Sequence, residues 1–443
     1  MPKAGSRRLA PFLVVLLGAH AAGTALAQAA REPVTLTLMV AMTPQELASF
    51  RPALAAVDDA HPEFVVELEP VPQGAFTERA NARLAAGTLP DVVRVEGLSA
   101  QALIRRGALL DLAAAPGFDA AVLDDYFPGV LEPFRWQGAT WALPDTASPD
   151  VLFYDKAAFD EAGLAYPTDD WTFEDMRQAA IRLTRDANGN SPLDDGFDPD
   201  AVVRWGWNGS LTHFWQRHLV QAFGTDWCAD DECTTFDVTD PDVVAAVRWW
   251  ADLVQVDHAG LHDPYSGGQT GVPGDPFLAG AAAMGYNGFF AVGQLNDLGA
   301  VDYDVAQPLL GVDGQRRTPL STNAYAIAAT SPHPREALAL VTALTAPAFL
   351  AETWGRPGHA VPARRSAAPS VVDPGRAPAN QDAILATMEY ATVFRPFTPG
   401  AFAAYGASAD LFARTMRGDL GVEEGLAAIE RALDAALAED RLP

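Results

Sequence analysis

Apolar and β-branched residues run from Val34 to Val40, give way to a helical spacing over 45–60 that stops at His61 and Pro62, and return over Phe64–Glu69. Short runs of this kind, bounded by polar residues and turn formers, are the signature of buried strands. A second helical pattern over 74–86 stops at Gly87, a third strand follows over Pro90–Val95, and a third helix over 98–106. Strands and helices that alternate at this rhythm build parallel βαβ units, so the fold class is α/β.

Beyond about residue 155 the pattern turns mostly helical. Segments near 172–185, 211–223, 241–256 and 275–283 are followed by amphipathic stretches at 333–345 and 381–391 and by terminal helices over 405–417 and 422–438. Strand-like pieces recur at Trp141–Leu143, Val151–Tyr154, Ala282–Tyr286 and Tyr325–Ala328. Interleaving of this sort predicts a chain that passes between two bodies more than once. The Pro- and Gly-rich stretch 355–379 reads as a linker on the surface. Neither an internal repeat nor a heptad run is present.

Composition narrows the function. Of the 443 residues 49% are hydrophobic and 20% charged, which excludes wholesale disorder, and the formal net charge is −27. Only Lys3 and Lys156 are lysines. A chain this acidic does not track a phosphate backbone or an anionic membrane surface, so nucleic acid is excluded as a partner. Lys3, Arg7 and Arg8 precede the apolar run Leu9–Leu17, and Ala25 and Ala27 frame a cleavage site before Gln28. That is the three-part form of a secretory signal peptide. The apolar run is about half the ~20 residues that span a bilayer, so a membrane anchor is not expected. No cysteine follows it to carry a lipid. The expected location is a periplasm, with cleavage near Ala27. Cys228 and Cys233, the only cysteines, have a spacing that permits a disulfide in such a compartment. Closing so short a loop would contribute about 2 kcal/mol.

Several motifs occur in a telling order: Gly87–Val93, Ala142–Pro144, Val151–Lys156, Phe159–Gly163, Pro167, Trp171–Asp175, Gly280–Met284 with Asn287 and Gly288, and Val361–Arg364. Together they resemble the extracellular solute-binding proteins of carbohydrate ABC importers, the group that contains maltose-binding protein. The resemblance covers nearly all of residues 34–440. It implies a type II periplasmic-binding-protein fold: two lobes built from discontinuous segments, joined by hinge crossings, which close on a sugar and present it to a membrane permease. Crossings are expected near Pro144–Ser148, Tyr303–Leu309 and Trp354–Gly358. Lobe 1 is then 28–144 plus 304–354, and lobe 2 is 145–303 plus 355–443. A monomer without cofactor or catalysis is implied.

A saccharide offers hydroxyl edges that need directional hydrogen bonds and an apolar ring face that stacks on an aromatic side chain, so its cleft combines the two residue types. The resemblance places Phe290 where relatives carry a stacking Trp, with Phe289 an equal candidate, and makes Tyr405 and Phe214, with the adjoining His213, further contacts. Thr43 and Glu96 follow the first and third strands, at carboxyl ends where ligands collect in open α/β sheets. Asp145 and Ser148 fall in the first crossing, Asn323 precedes the Tyr325 strand, and Trp354 and Arg356 flank the third crossing. The small Ser148 argues against maltose itself. Trp171 reads as helix-start packing. Asp186, Asn188, Asn190 and Asp194 follow the oxygen-donor spacing of a calcium loop. Ser191 and Phe197 replace the Gly and Glu that shape and close such a site, which makes an Asx-rich turn the stronger reading. Two other functions remain open at this point: a secreted carbohydrate-active enzyme, which needs a pair of acids across a subsite, and a binder of another solute such as a polyamine or peptide.

Overall fold

The computed structural model describes residues 32–209, 216–230, 235–262, 274–393 and 401–439. The stretch expected to be a signal peptide, with its cleavage site, therefore lies outside the described residues. The first part of the chain runs β1 (Val34–Ala41), α1 (Pro44–Ala60), β2 (Phe64–Val71), α2 (Phe76–Ala85), β3 (Val92–Glu96) and α3 (Gly97–Arg105). β1 pairs in parallel with both β2 and β3. Side chains alternate across this sheet as the period of a strand requires. Leu36, Leu38 and Val40 pack against Phe50 and Leu54 of α1 on one face. Met39, Val93 and Val95 meet Leu103 and Ile104 of α3 on the other.

A small hairpin of β4 (Arg135–Trp136) and β5 (Ala139–Thr140) leads into β6 (Ala142–Asp155), which is 14 residues long. Then follow α4 (Lys156–Ala162), α5 (Phe173–Leu183), β7 (Arg185–Asp186), β8 (Val202–Trp207), α6 (Gln216–Gln221), α7 (Pro241–Gln255), β9 (Ala282–Gly288), α8 (Phe290–Leu298), β10 (Tyr303–Ala306) and β11 (Pro319–Ile327). The rest comprises α9 (Pro334–Leu344), α10 (Pro347–Leu350), a π-helical turn over Ala351–Gly355, β12 (Val361–Pro362), α11 (Gln381–Thr387), β13 (Thr392–Val393), α12 (Ala401–Arg417) and α13 (Val422–Glu439).

The main strand order is β2-β1-β3-β11-β6-β9-β8-β7. β6 joins its two halves. Its first part, to Pro149, is antiparallel to β11, and its second, from Asp150, is antiparallel to β9 and β10. The sequence pattern gives two separate pieces here because Pro144 and Pro149 interrupt it, and proline cannot donate to a ladder. In the structure those prolines bracket residues 145–148, and Asp145 is the extra residue of a bulge opposite the step from Asn323 to Ala324.

Around the second half lies a separate core of Leu152, Phe159, Met176, Trp207, Trp250 and Met284, closed by Phe412, Leu426 and Ile429 of the two terminal helices. Trp171 packs on its rim, 6.0 Å from Phe159, just before Thr172 caps α5. Three expectations differ from what is observed. No helix covers 275–283: Asp275 accepts the amides of Phe277 and Leu278, and Gly280 takes a φ of +71° that stops any helix before β9. β8, with its exposed Val203, gives no clean alternation and was missed as a strand. The segment after 355, expected in part to be a surface linker, is built into the larger core, which runs from Leu38 and Val40 to Phe153, Phe289 and Tyr303. Val361, Ala363, Val371, Ile384, Met388 and Val393 all insert there, and β12 and β13 pair with β6 and β11. The chain enters the second core again at Phe412.

Candidate functional site

β1 and β3 are parallel and end at the same edge of the sheet, where α1 and α3 begin. Ladder register identifies what lies beside them. Glu96 stands opposite Asn323, Asn323 opposite Thr146, and Ser321 opposite Ser148. Residues opposite one another in a ladder share a face, as do residues two apart on a strand. Glu96, Asn323 and Thr146 thus form one row across three strands, and Ser321 with Ser148 forms the next. The strip continues onto β9. A Cβ built on Gly288 would lie 2.5 Å from the Phe290 ring and 2.7 Å from Ser148 Oγ, so glycine is what lets the ring approach the strand. Phe290 is 48% exposed. Ser148 Oγ is covered and has no hydrogen-bond partner among the described residues. An acid at one end, hydroxyls and an amide in the middle and an aromatic face at the other make one continuous polar-to-apolar strip.

Glu96 is open to solvent, yet loss of water raises its carboxyl above the usual range, with the Arg94 charge pulling the other way. Beneath the strip lies a buried charge network. The Arg94 guanidinium, only 5% exposed, donates from Nε to Asp145 Oδ2 at 2.6 Å, from Nη2 to Thr146 Oγ1 at 2.9 Å and from Nη1 to the Ala41 carbonyl at 3.3 Å. Its other surface covers the Trp354 ring, 4.5 Å from the ring centroid. Burial is the strongest single influence on Arg94 and lowers its pKa, but the Asp145 charge and hydrogen bond, with Tyr325 and Glu46, together outweigh it and raise it.

The candidate residues separate accordingly. Glu96, Ser148, Asn323 and Phe290 lie together on the strip. Thr43 stands exposed at the end of β1, where its hydroxyl accepts the Glu46 amide and Glu46 accepts its own, a reciprocal cap for α1. Four expectations are corrected. Asp145 is fully buried and bound to Arg94, and Trp354 is buried under the same guanidinium. Phe289, 3% exposed, belongs to the core, because adjacent rings at the start of α8 point opposite ways. Arg356 is exposed and paired with Glu352 four residues earlier. His213, Phe214 and Cys233 lie outside the described residues, as does the side chain of Tyr405 on α12. Arg94, Thr146 and Ser321 were missed. The available signal was a lone arginine inside the apolar strand Val92–Glu96.

In the loop after α5, Asp186 spends its carboxylate on the loop itself. Oδ1 accepts the amides of Asn188 and Asn190, both at 2.8 Å, and Oδ2 accepts that of Asp198 at 3.0 Å. Asp194 likewise accepts the Ser191 amide and hydroxyl. Among the described residues no group of three or more His, Cys, Asp or Glu is placed to hold a metal ion.

The two halves also meet at His218 of α6, whose Nε2 lies 3.0 Å from Thr392 Oγ1 of β13. The ring is buried, and the charges around it are Arg217, Asp226 and Arg317. Burial, reinforced by the two arginines against Asp226, lowers its pKa to about 3 from an ordinary value of 6.5. The unfolded chain takes up this proton below about pH 6.5 and the folded one does not, so the contribution to stability is lost as pH falls from there toward 3. In urea denaturation at pH 7 and pH 5, wild type should lose more stability on acidification than His218→Gln; parallel losses would contradict this.

Solved structures share the architecture. UspC of M. tuberculosis superposes with a TM-score of 0.74 at 23% identity, covering 91% of this chain and 100% of that one. The sugar-binding protein MalE of Xanthomonas citri gives 0.74 at 20% identity, covering 92% and 98%. The GacH receptor of Streptomyces glaucescens, solved unliganded and with acarbose, gives 0.72 at 21% identity, covering 92% and 100%. The fold is that of the two-lobed binding proteins. The sequence profile of the bacterial extracellular solute-binding proteins matches residues 53–387, and the chain belongs to that family. The mannitol-binding protein of Pseudomonas aeruginosa is 26% identical over 171 residues, 38% of this chain. The match spans only 37% of that relative's length.

Proposed function

We propose that the protein binds a sugar or sugar alcohol on the strip between its two halves and delivers it, chemically unchanged, to the membrane permease of an ABC importer from the periplasm. The observation that carries this is the strip itself, with an exposed Phe290 ring at one end and Ser148, Ser321, Asn323 and Glu96 beyond it. An aromatic face beside closely spaced hydrogen-bonding groups suits a molecule with an apolar ring or carbon face and hydroxyl edges. Membership of the family and the sugar-binding relatives support the same reading. Glycosidase chemistry would need a second carboxylate across the subsite. Asp145, an acid beside the strip, is held by Arg94. The proposal requires no cofactor and treats the protein as a monomer.

The test is thermal unfolding and Trp fluorescence of the purified protein against D-mannitol, maltose, maltotriose and a wider mono- and oligosaccharide panel. Binding to the folded state alone adds about 2.7 kcal/mol at a ligand concentration 100 times Kd. At least one panel member should raise the melting temperature by several degrees. A flat response across the panel would refute the proposal.

A further inference from the structure

Thr146 settles the polarity of the network beneath the strip, because its hydroxyl has one proton to give and two lone pairs to receive. Arg94, which only donates, meets Oγ1 at 2.9 Å. Asp145 Oδ1, ion-paired with Arg94, only accepts, and takes the Thr146 proton at 3.3 Å. Asn323 Nδ2, at 3.3 Å, therefore meets the remaining lone pair. With its nitrogen oriented onto Thr146 and one of its two N–H donors used there, the Asn323 side chain has its amide oxygen free for the strip. Glu96 stands next to it in the same row. The Arg94 charge is ion-paired with Asp145, whereas Glu96 makes no ion pair among the described residues; at the N-cap of α3 its charge offsets the positive end of that helix.

We propose that Arg94 is a positioning residue: acting through Thr146, it turns the Asn323 amide oxygen toward the bound molecule, so that Asn323 and Glu96 offer acceptors and select neutral, hydroxyl-rich ligands over sugar acids and sugar phosphates. This rests on the sugar-binding reading above. Arg94 touches no ligand. It sets the direction of a hydrogen bond two groups away, and the selection follows from that direction together with one unmatched carboxylate.

Calorimetric titration tests it with D-mannitol and maltose, their acids D-mannonate and maltobionate, glucose 6-phosphate and spermidine. Wild type should bind a neutral member at least tenfold more tightly than its acid. Arg94→Lys keeps a cation beside Asp145 but cannot fork to Thr146; it should unfold cooperatively and bind the neutral ligand at least tenfold more weakly. Thr146→Val removes the relay hydroxyl at constant shape and should show the same loss, which keeps the test decisive if Arg94→Lys does not fold. Glu96→Gln should narrow the neutral-to-acid ratio by about tenfold, a change in selectivity that a purely structural role would not produce. A folded Arg94→Lys or Thr146→Val protein with wild-type affinity, or an acid bound as tightly as its neutral partner, overturns the inference while the sugar reading stands. Wild type that binds spermidine but no member of the wider saccharide panel, or binds nothing in either set, overturns both.

Discussion

An Asp145→Leu protein is expected to unfold about 3–5 kcal/mol more easily than wild type, because it leaves the Arg94 guanidinium buried without its counter-charge. The carboxylate is fully buried and the guanidinium nearly so: Ala41, Thr146 and the Trp354 ring cover most of its remaining surface. The double variant Arg94→Met/Asp145→Leu should recover most of that loss, since two apolar chains of similar volume leave no orphaned charge. Urea midpoints at pH 7 measure both. A single variant within 1 kcal/mol of wild type would show that water reaches the pair.

Phe290→Ala should leave stability almost untouched and weaken sugar binding at least tenfold, a change of about 1.4 kcal/mol. Its ring is half exposed, so little core contact is lost, whereas a stacked aromatic platform is the kind of anchor on which affinity concentrates. Phe290→Trp should retain or improve affinity by enlarging the platform. The neighbouring Phe289→Ala should do the reverse, costing about 3–5 kcal/mol of stability because its ring is in the core. Titration paired with thermal melts separates the two. Wild-type affinity in Phe290→Ala would remove the ring from the site.

The βαβ units up to α3 were legible because each strand is bounded by its own turn formers, such as His61 with Pro62 and Gly87, and owes little to distant residues. β6 was not, because its two prolines erase the alternation that a single long strand would show. Glu96, Ser148, Asn323 and Phe290 could be named from their places at strand ends and in the resemblance. Their grouping into one strip depends on register between strands more than 100 residues apart, which local pattern does not encode. The roles of Asp145 and Arg94 were hidden for the same reason: each is decided by the other, 51 residues away. Phe289 and Phe290 are indistinguishable as letters, and only the first turn of α8 separates core from surface.

The two prolines in β6 have a mechanical consequence. A ribbon shared by both halves transmits torsion, and torsion concentrates where the fewest bonds resist it. Neither Pro144 nor Pro149 can donate a ladder bond, so rotation of one half against the other is expected to gather in the four residues between them, directly beneath the strip. A small twist there is a large sweep at the far tips, and it changes the spacing between Ser148 and the Phe290 ring least of all, so the guest's footing would stay steady while the walls around it swing.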